Sequence, residues 1–123
     1  MERISDFVWN RNKNTFSWTY NKTKYEKIFS NIPYSIIELS DKTGFAVVCS
    51  IEEFGMNNAF IINADRSIRY SLSIPNSVKR PKGFYEIYYI GDLLTAIILT
   101  EWGDFACDID ANTGSCSNIH ETR

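Results

Sequence analysis

Asp108, Asp110 and Asn112 put three oxygen-bearing side chains at alternate positions, and Gly114 follows them. Oxygen donors at that spacing are what a calcium loop uses. An EF-hand loop also wants glycine at its sixth position and a bidentate glutamate at its twelfth. Counted from Asp108, glycine falls at seven and position twelve is Ile119. The flanks alternate like strands rather than helices, so no metal is expected. "DANTG" reads as the turn of a β-hairpin, with Gly114 supplying a positive φ.

The other catalytic residue types are sparse. There is one histidine, His120, close to the chain end and expected to be mobile there. A nucleophile–base pair would have to use it, and a base needs a third group to hold it. Glu52 and Glu53 are adjacent and precede a turn; on a strand they would point to opposite faces and form no acid–base pair unless a loop bends them. No P-loop, dinucleotide fingerprint, Gly-x-Ser-x-Gly or His-Glu-x-x-His pattern occurs. The sequence therefore implies a binding protein, not an enzyme, and nothing in it asks for a cofactor.

The three cysteines, Cys49, Cys107 and Cys116, are an odd number with no secretory leader ahead of them. That argues for free thiols, although Cys107 and Cys116 would face one another across the hairpin. The longest apolar run, "LLTAIILT", is too short to span a bilayer. A soluble, cytoplasmic chain is expected.

Around these residues the sequence repeats itself. Residues 33–74 and 84–120 each run strand–turn–strand–turn–strand–turn–strand, with Asp, Asn and Gly at the breaks. The second strand of each unit, "FAVVCSI" or "LLTAIILT", is apolar on both faces and belongs inside its sheet. The fourth, more polar, belongs near an edge. Residues 1–32 form a half-unit, in which Phe7 would correspond to Phe60 and Phe105. Residues 75–83, "PNSVKRPKG", read as an exposed basic linker. Within the half-unit, Thr23 and Glu26 fit a capping box and Tyr25, Ile28, Phe29 and Ile32 follow helical spacing. A short helix is predicted at about 23–31.

The fold class is thus all-β with one short helix: antiparallel four-stranded meanders in tandem, in a single domain. Tandem four-stranded meanders resemble β-propeller blades, and "ACDIDANTG" is similar to the turn that closes the outer hairpin in some blade families. Two and a half units are too few for a ring of at least about four blades. A sandwich, an open barrel or a shortened propeller-like fan follows, with two or three sheets round one core.

Charge is segregated along the chain. Residues 84–123 hold seven acids against one base, a balance of −6, whereas residues 1–30 hold three acids against six bases, a balance of +3. In "TEWGDF", Glu101, Trp102 and Asp104 crowd a turn. Asp108 and Asp110 share a strand face nearby, and Glu86 and Asp92 complete the acidic set. An aromatic anchor ringed by carboxylates suits the capture of a basic protein surface. The bland alternative packs Trp102 in the core and leaves the acids as a solvated face.

In size, charge and character, rather than in any motif, the chain is similar to small bacterial immunity proteins of contact-dependent inhibition and related polymorphic toxin systems. That resemblance implies a cytoplasmic inhibitor covering the basic active site of a toxin such as a nuclease. A second possibility is a nucleic-acid module. Phe16, Trp18 and Tyr20 share one strand face and would stack bases, while Arg11, Lys13, Lys22 and Lys24 met phosphates. A third is a subunit whose sheet edge pairs with a second copy in a homodimer.

Overall fold

The computed structural model describes residues 3–122; Glu2 and Arg123, which enter the charge balance above, lie outside them. The described chain forms eleven strands and one helical turn. β1 (Ser5–Trp9), β2 (Thr15–Tyr20) and β3 (Thr23–Ile28) make a three-stranded antiparallel sheet in that order. β4 (Ser35–Glu38), β5 (Gly44–Val48), β6 (Ala59–Asn63) and β7 (Ile68–Ser71) make the second, again in sequence order. β8 (Pro81–Ile90), β9 (Leu93–Thr100), β10 (Gly103–Ile109) and β11 (Cys116–Glu121) make the third. The sheets are antiparallel meanders and none closes into a barrel. As expected, β5 and β9 lie inside their sheets, and β7 and β11 at the edges.

Burial shows how the sheets stack. Every residue of β5 is buried. Its alternate side chains enter two different cores. Phe45 and Val47 join Phe16, Trp18 and Phe29 of the first sheet's region. Ala46 and Val48 join Phe84, Ile87, Ala96 and Ile98 of the third. The second sheet is therefore a middle layer, and a strand apolar on both faces is what such a layer requires. One core was expected; two are found, because "FAVVC" separates them.

Polar pins hold the layers in register. Trp18 Nε1 donates to the Ala64 carbonyl at 2.7 Å, joining the first sheet to the second. Asn58, fully buried, joins the second to the third. Its Nδ2 donates to the carbonyls of Cys49 (2.7 Å) and Phe84 (2.8 Å), and its Oδ1 accepts from the Phe84 N–H at 2.8 Å. A buried amide with its donors and acceptor all engaged positions neighbours without a desolvation penalty.

Four expectations are corrected. Residues 23–28 form β3, not a helix. Asn21 and Lys22 both adopt positive φ (52° and 64°), the conformation of a two-residue type I′ hairpin turn, and this returns the chain along β2. Tyr25 then pairs with Trp18, so cross-strand stacking outweighs the capping box. The single helical turn, α1 (Ile51–Phe54), lies elsewhere, with Ser50 Oγ accepting from the Glu52 N–H at 3.1 Å. It carries Glu52 and Glu53, which are thus not on a strand. The Glu53 carboxylate accepts from the N–H groups of Ser30 (3.0 Å) and Asn31 (2.9 Å). Finally, Phe60 and Phe105 sit on the third strand of their sheets but Phe7 on an edge strand, so the three are not equivalent. The stretch read as linker, 75–83, already contains the start of β8 at Pro81.

Candidate functional site

Because side chains alternate along a strand, the inner residues of the third sheet fix its outer ones. Phe84, Ile87, Leu94, Ala96, Ile98, Cys107 and Ile109 point into the core. The opposite face carries the residues between them, and the strand register arranges these in rows. One row reads Tyr88, Thr95, Asp108, Ser117; the next reads Glu86, Ile97, Ala106, His120. Leu99 and Asp104 pair beyond these, and Ile90 and Leu93 pair at the other end. No lysine or arginine stands in these rows. Two of the apolar members stand open, Ile90 at 58% and Leu93 at 54% exposure, whereas Ile97 and Leu99 are half-buried and Ala106 is buried.

Glu86, Asp104 and Asp108 are therefore brought together on one face. The remaining acids are not. Glu101 and Trp102 form the β9–β10 turn, whereas Asp92 and Asp110 lie in the turns at the other end of the sheet. An eight-residue β9 lies between, which spans roughly 25 Å.

Trp102 is 74% exposed and is not a core residue. The basic segment before β8 folds against it: the Arg80 guanidinium carbon lies 5.8 Å from the Trp102 ring centre, and Arg80 Nη1 is 3.5 Å from Glu101 Oε2. The segregation of charge seen in the sequence is thus broken at this turn. A groove of about 380 Å³ opens beside the indole, lined by Ser77, Lys79, Asp104, Phe105 and Glu121, so both signs of charge border it.

Asp110 is occupied by its own loop. Its Oδ1 accepts from the Asn112 N–H at 2.8 Å and its carbonyl from the Gly114 N–H at 2.7 Å, while Gly114 takes φ 75°. The opening motif is a hairpin turn, as its spacing implied. Among the described residues no three His, Cys, Asp or Glu side chains gather into a metal-binding group. His120 is held in β11 opposite Ala106 rather than on a loose tail, and its Nδ1 donates to the Asn118 carbonyl at 2.9 Å.

All three cysteines are free. Burial, reinforced by the nearby Glu53 charge, pushes the Cys49 thiol up to about 12. Cys107 and Cys116 are neighbours across the hairpin. A hydrogen bond between them, together with burial, raises the Cys107 thiol, and the same bond lowers Cys116.

The base-stacking surface is not formed. Phe16 and Trp18 are buried between the first two sheets, where Phe16 stacks on Trp18 at 5.0 Å, and only the edge of that aromatic row reaches solvent.

Sequence reasoning missed a hollow of about 310 Å³ on the outer face of the third sheet. Thr95 and Ala106 form its floor, and Tyr88, Ile90, Leu93, Asp108, Asn118 and His120 its walls. The signal was in "LLTAIILT", apolar on both faces: one face packs into the core and the other carries part of the hollow.

No protein-family model and no curated sequence matches the chain. Among solved structures, it is similar to a chain in the structure of Tne2 in complex with Tni2. The two are 16% identical with a TM-score of 0.63, over 89% of this chain and 77% of that one. The likeness is one of fold.

Proposed function

We propose that this chain is an immunity protein: a non-catalytic inhibitor that neutralises a cognate protein toxin by covering a basic surface, such as the active site of a nuclease. It would act in the cytoplasm, alongside the toxin's target. The observation that carries the reading is the outer face of the third sheet, where Glu86, Asp104 and Asp108 stand among Tyr88, Ile90 and Leu93 with no lysine or arginine in the rows. Exposed apolar residues framed by one sign of charge are the composition of a docking surface, the apolar part supplying affinity and the charge on-rate and orientation. A fold of this kind in a two-protein complex, Tne2 with Tni2, supports the same reading.

The test is co-expression with the toxin encoded beside the gene. The triple variant Glu86→Lys, Asp104→Lys, Asp108→Lys should remain folded by circular dichroism yet lose protection of the host cell. A folded triple variant that protects as well as the parent would overturn the reading.

A further inference from the structure

The reading of the third sheet as a docking face leaves open what enters its hollow, and the register supplies an answer. Tyr88 and Asp108 sit in one cross-strand row, on the strands either side of Thr95. They are separated by two strand spacings, roughly 10 Å. The residue between them is short and buried, so the floor is low and the walls are high. A side chain inserted over Thr95 would meet a phenol ring on one side and a carboxylate on the other, with Ile90 and Leu93 along its path.

We propose that this hollow is a receptor for one arginine side chain of the partner protein. The aliphatic stem suits Ile90 and Leu93. A planar guanidinium stacks on an aromatic face while donating two hydrogen bonds to a carboxylate, which a lysine ammonium cannot do at once. Asp108 is available for this: among the described residues the only side-chain hydrogen bond to it comes from Asn118 Nδ2, at a long 3.4 Å from Oδ2. Charge agrees as well, since Asp108 is the one charged wall and the only other titratable ones are Tyr88 and His120, whose Nδ1 is already engaged. The inference rests on the docking-face reading and can fail independently of it.

The experiment is an NMR titration of the ¹⁵N-labelled chain with N-acetyl-arginine amide, N-acetyl-lysine amide and N-acetyl-glutamate amide. The arginine probe should shift the backbone amides of Thr95, Ala106 and Asp108 together, along one saturable curve. Asp108→Asn should weaken that binding by about fivefold or more, the loss expected for one charge-assisted contact. Tyr88→Ala should weaken it too, with both variants melting like the parent. No shift at the highest arginine concentration, lysine binding as tightly as arginine, or an unchanged affinity in Asp108→Asn would each overturn the proposal. Failure here leaves the docking face standing, because the protection assay repeated with Glu86→Lys and Asp104→Lys alone tests that face without altering a wall of the hollow.

Discussion

The first and third sheets flank the same middle layer, each with one face buried and one open, yet they use their aromatic and apolar residues in opposite ways. In the first sheet the aromatic row is turned inward: Phe16 and Trp18 are buried against Phe45, Trp18 lying 4.9 Å from it. Its open face carries Ser17, Thr19, Lys24 and Glu26 between the exposed Val8 and Ile28. In the third sheet β9 has apolar side chains on both faces; the inner set is buried in the core, while the outer set runs from the exposed Leu93 to the half-buried Ile97 and Leu99. Comparable hydrophobic content therefore produces a core in one region and a surface in the other. What decides is whether another layer of the same chain lies opposite, and local sequence does not record that.

Two of the three tryptophans, Trp18 and Trp102, test this contrast most severely. Trp18→Ala removes a fully buried ring and its bond to Ala64, and should cost about 3–5 kcal/mol, as large-to-small core changes do. Trp102→Ala removes an exposed ring and should shift urea unfolding by no more than about 0.5 kcal/mol. Similar losses at both positions would mean that the β9–β10 turn is packed after all. Next in size is Asn58→Ala, which strands one N–H and two carbonyls between the second and third sheets. A loss of about 2–3 kcal/mol is expected in the same assay. A loss below about 0.5 kcal/mol would show that water takes over these contacts.

The smallest effect is kinetic. With its thiol raised to about 12, Cys49 stays protonated at pH 8 and should resist iodoacetamide, as should Cys107. Cys116, whose thiol is lowered and half-buried, should be alkylated first. Mass spectrometry over a time course reads the order, and early labelling of Cys49 would contradict its burial.

The meanders themselves were legible because their signals are local. Alternation and Asp/Asn/Gly turns fix strands and hairpins, and "DANTG" behaved as its spacing said. The error at residues 23–31 was a competition between two local signals. Tyr25, Ile28, Phe29 and Ile32 fit a helix, but Asn21-Lys22 is a tight turn, and the pairing of Tyr25 with Trp18 settled the matter through a contact that only the folded chain makes. The acidic set was legible only as composition. Alternation put Asp108 and Asp110 on one strand face, but β10 ends at Ile109 and Asp110 falls in the turn; register is what gathers Glu86, Asp104 and Asp108. Glu101 is instead engaged by Arg80, a residue of the basic segment that looked remote from it. The hollow was invisible because its floor and walls come from four strands whose alignment is fixed by pairing, not by sequence distance.

The double burial of β5 bears on how the chain comes apart. Arrays of repeats often unravel one unit at a time, since each unit contacts only its neighbours and retains some stability alone. Here the central unit cannot survive the departure of either flank, because Phe45 and Val47 would meet water on one side, or Ala46 and Val48 on the other. Loss of one end therefore propagates to the whole, and a chain of three successive meanders should melt in a single cooperative step.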